Sequence, residues 1–146
     1  MKYTINIDKE HEEEIQIFAH SKNELICAIE KLILSSENQH VPLVGYTNGD
    51  AVMIKTEDVY CFYLEDKKLY AILENEKIRL KMRLHEIEDR LNSDFIKINQ
   101  SSIANINKIS KFSVSYGATL KVHFKNGHTD YVSRRQVKFI KERLGF

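Results

Sequence analysis

The chain has few of the residues that break or cross-link a fold. Among its 146 residues there are one proline, five glycines, two cysteines and no tryptophan. With 42% hydrophobic residues, this scarcity argues against disorder and favours a folded protein with a substantial core. No apolar run approaches the roughly 18 residues of a membrane-spanning helix, so no such helix is expected. The first residues, MKYTINIDKEHEEE, lack the apolar segment of a signal peptide.

The chain also lacks the motifs of common catalytic sites. It has no glycine-rich phosphate loop, no nucleophile elbow and no defensible pair of catalytic carboxylates. Cys27 and Cys61 lie in apolar surroundings, which favours buried thiols in a reducing cytoplasm over a disulfide or a nucleophile. Of six scattered histidines, only His123 and His128 can approach each other, across a hairpin turn. We therefore expect no enzyme, no cofactor and no metal site.

Charge is distributed unevenly along the chain. Residues 97–146 contain ten Lys or Arg and only two acidic residues, Asp130 and Glu142, whereas residues 1–96 contain twelve basic and nineteen acidic residues. The formal net charge of +1 therefore hides an acidic first part and a basic last part. Clustered cations gain free energy by releasing counterions from phosphates, so this asymmetry indicates a polyanion-binding surface.

The first forty residues have the pattern of a separate β-β-α unit. Two stretches alternate with period two, around Ile5 and around Ile17, on either side of an acidic bend. Ser21 and Glu24 have the spacing of a capping box before an amphipathic helix. The only proline, Pro42, ends a polar cluster at residues 38–42. We place a domain boundary there, between residues 1–40 and residues 41–146.

Residues 41–96 are predicted to be rich in strands. Asn48-Gly49 predicts a tight hairpin turn between residues 43–47 and 51–55. Further strands are predicted at residues 59–64 and 69–73, on either side of a charged loop. Apolar side chains then recur at helical spacing, at Leu80, Leu84, Ile87 and Leu91, which predicts a helix that packs on the sheet. Lys81 and Arg83 are interpreted as part of its solvated face.

Residues 95–146 predict strands, a hairpin and a final helix. Residues 119–124 alternate, and Asn126-Gly127 is expected to supply two positive-φ residues for a tight turn. Ser133 is expected to cap a helix that buries Val137, Ile140 and Leu144. Basic side chains at the start of that helix oppose its dipole, and a bound anion would remove the conflict.

These residues together resemble the LytTR DNA-binding domain of bacterial transcription regulators. The resemblance rests on the order of Phe95-Ile-Lys-Ile, the segment Asn-Gln-Ser-Ser-Ile-Ala-Asn105, the Leu-Lys-Val-His-Phe hairpin and Val132-Ser-Arg-Arg-Gln-Val-Lys138, and it extends upstream through Val44. It implies a mainly β fold (α+β overall), an LytTR-type scaffold of antiparallel strands with short helices. To this the chain adds the N-terminal β-β-α appendage. The sequence departs from the family pattern at Asn99-Gln100 and at Ala104-Asn105.

The family presents loops, not a recognition helix, to the major groove, and this implies a set of contact residues. We expect Arg135 to read guanine through its planar fork, and Gln100 to pair with adenine at a base-reading position of the family. Lys67 matches a third contact position of the family, and an exposed loop lysine without a contact is the equal alternative. Contacts to phosphate, or positioning roles, are expected for Arg134, Lys138, Ser101, Lys108, Asn99 and Asn105. For Asn105 a purely structural role within its turn is the alternative.

The expected partner is double-stranded DNA, bound by two copies of the chain on paired direct-repeat sites, as the family implies. Residues 1–40 are too few for a receiver domain, so they are expected to form a surface for dimerisation or for docking a partner such as a membrane protein. An alternative is an RNA-binding module in which Phe112, Tyr116 and Tyr131 stack on bases. Another is a protein-interaction module whose basic face meets an acidic partner.

Overall fold

The computed structural model describes residue 10, residues 14–37 and residues 42–146. Three helices and ten strands occupy this part of the chain. In chain order they are α1 (Glu24–Glu37), β1 (Leu43–Thr47), β2 (Asp50–Ile54), β3 (Cys61–Glu65), β4 (Lys68–Ile72), β5 (Lys77–Leu80), α2 (Leu84–Glu88), β6 (Phe95–Asn99), β7 (Ser102–Asn105), β8 (Ile109–Ser115), β9 (Thr119–Phe124), β10 (Thr129–Val132) and α3 (Arg134–Leu144).

The strands form two antiparallel sheets. The first has seven strands in the order β2-β1-β5-β4-β3-β7-β6, and the second has three in the order β10-β9-β8. The prediction of a mainly β fold of antiparallel strands with short helices is therefore confirmed. No helix among the described residues is long and apolar enough to cross a membrane.

The core has two parts, one on each face of the seven-stranded sheet. Because successive side chains of a strand point to opposite faces, neighbouring residues of β3 enter different parts. Phe62 packs with Leu69, Ile78 and the α2 residue Ile87 in one part. Cys61 faces the other, which fills the space between the two sheets and is closed by α3. Its buried members include Ile98, Ala104, Val122, Phe124, Val132 and Ile140.

Two hairpins of the first sheet have tight turns in which both central residues have positive φ. Asn48 (φ 50°) and Gly49 (φ 86°) form the predicted two-residue turn, with Thr47 opposite Asp50. Between β3 and β4 a turn of the same kind places Asp66 and Lys67 at φ 49° and 62°, although the sequence suggested only a loop there. Asparagine, aspartate and glycine tolerate this left-handed conformation, whereas a lysine in it carries some strain.

The hairpin between β9 and β10 differs from the prediction. Gly127 alone has positive φ, and Phe124 pairs across a longer turn, accepting from the Gly127 N–H and donating to the His128 carbonyl. The Asn126 side chain bonds outward, because its Nδ2 donates to the Leu73 carbonyl at 2.9 Å. This long-range bond holds the turn in the three-residue form with a bulge, instead of the two-residue form of Asn48-Gly49.

Helix boundaries also correct the sequence interpretation. The helix predicted from Leu80 to Leu91 is only α2, because Leu80 closes strand β5, where buried Ile78 and Leu80 alternate with exposed Lys77 and Arg79. α1 is capped by Asn23, whose Oδ1 accepts from the Ile26 N–H at 3.0 Å, and not by Ser21. Ser133 does precede α3, but its side chain makes no capping bond.

The N-terminal unit is described only in part. The first predicted strand, around Ile5, and most of the predicted boundary lie outside the described residues. Residues 14–19 form no strand in the part of the chain that is described, so the second predicted strand is not present there, and the division at residue 40 stays a prediction. α1 is present, and apolar side chains remain exposed beside it and on it, among them Phe18 and Leu25.

Candidate nucleic-acid interface

Two turns of the first sheet meet at the same end because β3 and β7 are antiparallel neighbours. Tyr63 lies opposite Ser102, so the turn that follows β3 and the turn that precedes β7 are adjacent. The Leu64 N–H donates to the Ser101 carbonyl at 2.8 Å and holds the two turns together. Lys67 and Gln100 therefore lie at one end of the sheet, and both side chains are exposed.

The start of α3 joins the same end from the second sheet. The Ser133 N–H donates to the Ile98 carbonyl at 2.9 Å, which places Arg134 and Arg135 beside the end of β6. We call the surface formed by residues 66–67, 100–101 and 133–135 the loop edge. It brings together the three residues predicted to read bases, Lys67, Gln100 and Arg135, all with exposed side chains.

A partly buried polar cluster, the Asp130 clamp, fixes two parts of the loop edge to each other. The clamp consists of Asp130, Asn99 and Ser102. Asn99 Nδ2 donates to Asp130 Oδ1 at 3.2 Å and to the Tyr131 carbonyl at 2.9 Å, while its Oδ1 accepts from the Ser101 N–H at 2.8 Å. Ser102 Oγ donates to Asp130 Oδ2 at 2.6 Å. One side chain, Asn99, thus links the β6–β7 turn to the strand that leads into α3.

The clamp also shapes the electrostatics of the loop edge. Asp130 is one of only two acidic residues after position 96, and the clamp directs its carboxylate inward. The other, Glu142, lies 4.0 Å from Lys138 on α3. No described carboxylate lies within ion-pair distance of Arg134 or Arg135. Their charges, with the free N–H groups at the start of α3, favour an anion at this end of the helix.

A basic groove extends the loop edge along the first sheet. β4 begins with Lys68 and pairs with the end of β5, so Leu69 lies opposite Leu80. The residues that follow β5 therefore lie at the end of the sheet that carries Lys67. The groove is lined by five cations and a single carboxylate, Glu86; the cations are Lys67, Lys68, Arg79, Lys81 and Arg83.

The sequence interpretation did not predict that Lys81 and Arg83 line a groove beside the loop edge, because it assigned them to the solvated face of a long helix. A usable signal was present in residues 77–80, where charged and apolar side chains alternate with the period of a strand. A strand ending at Leu80 would have placed both cations in a turn, next to other turns of the sheet.

Two residues expected at the phosphates lie elsewhere. Lys108 follows β7 at its far end, against the β9–β10 turn, where its carbonyl accepts from the Lys125 N–H at 3.0 Å. Its Nζ lies 5.0 Å from the centre of the Tyr60 ring. Asn105 is 2% exposed, donates to the Val59 carbonyl and accepts from the Asn107 N–H, which agrees with the structural alternative.

Asn99 is 4% exposed and its side chain is fully engaged in the Asp130 clamp. This geometry favours the positioning role over a contact to phosphate. Ser101, Arg134 and Lys138 have exposed side chains at or next to the loop edge. They remain available to phosphates.

The β8–β9 turn adds an aromatic side chain near the loop edge. Val132 pairs with Leu120, so the start of β9 lies beside the end of β10. Tyr116 in this turn is fully exposed and Tyr131 is 55% exposed, whereas Phe112 packs against Phe146 with ring centres 5.2 Å apart. Of the three aromatic residues considered for base stacking, two are therefore accessible.

His123 and His128 both make contacts within the protein, and one of the two cysteines is buried as expected. His123 bonds Ser113 Oγ through Nε2 at 2.7 Å, and His128 packs between Tyr63 and Phe124. Cys61 is buried as predicted, and burial raises the pKa of its thiol well above the ordinary value. Cys27 is only half-buried, and both cysteines are free.

Comparison with known proteins identifies the family to which this fold belongs. The model of the LytTr DNA-binding domain matches residues 49–145. The chain belongs to this family. A solved LytTr DNA-binding domain of a methyl-accepting/DNA response regulator from Bacillus cereus is 26% identical, with a TM-score of 0.68. The similarity covers 73% of this chain and 99% of that domain.

Full-length relatives carry regulator names. Uncharacterized HTH-type transcriptional regulators from Staphylococcus aureus strains MSSA476 and MW2 are each 36% identical to the chain. The match covers 99% of this chain and 98% of each relative. A third, from strain NCTC 8325, is 35% identical over the same shares. Those names refer to a helix-turn-helix, yet in the described residues strands separate α1, α2 and α3 from one another.

The Asp130 clamp predicts a specific loss of stability. Asn99→Ala would remove a 4% exposed side chain together with its bonds to the Ser101 N–H, the Tyr131 carbonyl and the Asp130 carboxylate. We expect the free energy of unfolding to fall by about 1–3 kcal/mol, the range for lost hydrogen bonds of which one is to a charged group. Urea denaturation measures this, with exposed Asn75→Ala as the matched control. Equal midpoints for the two variants would contradict the role of the clamp.

Proposed function

We propose that the protein is a sequence-specific transcription regulator that inserts the loop edge into successive major grooves of DNA. The observation that carries this proposal is the convergence of Lys67, Gln100 and Arg135 at one end of a rigid sheet. Membership of a DNA-binding domain family supports it. Because the scaffold fixes the spacing between the loops, base contacts made by different loops occur in a defined register. No catalytic role is proposed for any residue.

Each loop brings a different chemistry to the groove. The guanidinium of Arg135 matches O6 and N7 of guanine, and the amide of Gln100 matches N6 and N7 of adenine. Lys67 is a point charge at the tip of a tight turn, next to the basic groove. Arg134, Lys138 and Ser101, with Lys81 and Arg83 along the groove, contact phosphates. These phosphate contacts fix orientation and register, while the base contacts supply specificity.

The exposed apolar side chains at the N-terminal part supply a surface for assembly. Phe18 is 92% exposed, and Leu25 on α1 is 47% exposed. We propose that this part joins two copies, which bind paired direct-repeat sites in the cytoplasm. A membrane protein that docks on the same surface would compete with pairing and restrain the regulator.

A Leu25→Glu variant of the full chain tests this assembly surface. The added charge should prevent apolar pairing and shift a dimer toward the monomer in sedimentation experiments. Exposed Lys31→Glu, on the same helix, is the control for the change in charge. A wild-type chain that sediments as a monomer at all concentrations, alone and on a two-site duplex, would contradict pairing.

A single-stranded RNA-binding role is the second candidate, favoured by the exposed Tyr116 and Tyr131 rings near the loop edge. Stacking on such rings is tolerant of sequence. Competition between a duplex and single-stranded RNA at physiological salt separates the two functions. Preferential displacement of duplex by RNA, and its loss in Tyr116→Ala, would favour the RNA-binding function over the regulator.

Arg135→Ala should weaken binding to a cognate duplex by about 1–3 kcal/mol and relax discrimination at one base pair. Selection of bound sites from random duplexes identifies the cognate duplex and the base pair. Binding isotherms on single-base variants then measure the discrimination. An unchanged sequence preference in Arg135→Ala would contradict direct readout by this residue.

Lys138→Ala should weaken binding to every duplex, because it removes a phosphate contact without changing a base contact. The slope of log K against log salt should become shallower by about 0.9 for one lost phosphate contact. Lys108→Ala removes the same charge at the opposite end of the sheet and should leave the slope unchanged. The reverse result, an effect of Lys108 and none of Lys138, would move the interface to the far end.

A further inference from the structure

A second group of polar side chains lies between the two sheets, behind the loop edge. Cys61 Sγ, a ring nitrogen of His128 and a carboxylate oxygen of Asp130 all lie within 4.8 Å of one another. Cys61 comes from β3 of the first sheet, whereas His128 and Asp130 come from the β9–β10 hairpin of the second. Thiolate, imidazole and carboxylate are all transition-metal ligands, and here they converge from both sheets on one point.

Each of the three side chains has capacity for a further bond. His128 Nε2 is buried and has no hydrogen-bond partner among the described residues, an arrangement that folded proteins rarely leave in place. The Cys61 thiol makes one long contact, 3.4 Å to the Phe62 carbonyl. A carboxylate offers about four acceptor positions. Asn99, the Tyr131 N–H and Ser102 occupy three of them on Asp130.

The His128 ring suits an incoming cation as it stands, whereas the Cys61 thiol must first lose its proton. Burial lowers the pKa of the His128 ring, so at neutral pH the ring is in the uncharged form that binds metals. Burial, and then the Asp130 carboxylate, raise the pKa of the Cys61 thiol. A bound divalent cation reverses this effect by displacing the thiol proton to solvent.

We propose that Cys61, His128 and Asp130 bind a zinc ion, with the fourth tetrahedral position open to water. Because the three ligand atoms lie within 4.8 Å of one another, a cation at their centre lies at most about 2.8 Å from each, and each ligand needs to approach by no more than about 0.5–0.8 Å to reach zinc bond lengths. Small rotations of three side chains supply movements of that size. The set shares His128 with the His123–His128 pair, which the sequence analysis considered without expecting a metal site.

Zinc at this position would act on the loop edge through Asp130. Asn99 and Ser102 bond the Asp130 carboxylate and would become outer-shell partners of the metal, which orient its ligands. The ion would join β3 to the β9–β10 hairpin and hold the Asp130 clamp in place. Metal binding does not depend on the proposed DNA contacts, so it is measured without DNA.

Cobalt(II) titration of the full-length chain tests the site directly, because a cysteine thiolate bound to cobalt gives a charge-transfer absorption. We expect this absorption to saturate at one equivalent and to disappear when zinc is added. Cys61→Ala and His128→Gln should abolish it, whereas Cys27→Ser should leave it intact. Zinc competition with a chromophoric chelator should show losses above about 100-fold for the two ligand variants, since outer-shell changes alone cost about 10–100-fold.

Circular dichroism of each variant separates loss of the site from loss of the fold. If Cys61→Ala does not fold, the site is tested by whether the thiolate–cobalt absorption is lost in folded His128→Gln and Asp130→Asn. Absence of a thiolate absorption in the folded wild-type chain would overturn the proposal. So would an absorption that survives His128→Gln, or one that depends on Cys27, since the metal would then be bound elsewhere.

Discussion

The arrangement of the loop edge depends on one partly buried interaction, the Asp130 carboxylate held by Asn99 and Ser102. An isolated charge between two sheets would be costly, and three hydrogen bonds, one of them from the Tyr131 N–H, offset that cost. The same bonds fix the β6–β7 turn relative to the strand that leads into α3. The spacing of the loops is set by this polar cluster beneath them, as the proposed readout of DNA requires.

The direction of each strand decides which cations lie at the same end of the sheets. Lys67, Gln100 and Arg135 lie far apart in the sequence, but each follows or precedes a strand at the same end of the scaffold. Lys108 lies close to Gln100 in sequence and yet at the opposite end, because the whole length of β7 separates them. The uneven distribution of charge along the sequence therefore produces a basic end of the molecule only because the topology of the sheets brings these cations together.

Local patterns predicted much of the fold, and long-range contacts account for what they missed. The alternation of residues 119–124 and the Asn48-Gly49 turn are governed by neighbouring residues, and both are present as predicted. Asn126-Gly127 has the same local chemistry but turns differently, because Asn126 bonds a carbonyl 53 residues away. The clamp was not predictable either, since Asn99 and Asp130 are 31 positions apart and no local pattern links them.

The central claim is that DNA contacts the loop edge and makes no contact with the opposite end of the sheets. Backbone amide chemical shifts, recorded by NMR while a cognate duplex is added, test it most directly. The account predicts changes concentrated at residues 66–67, 100–101 and 133–135, with smaller changes along the basic groove and none at residues 106–108 or 125–127. Changes centred on residues 106–108 and 125–127, with the loop edge unaffected, would contradict it.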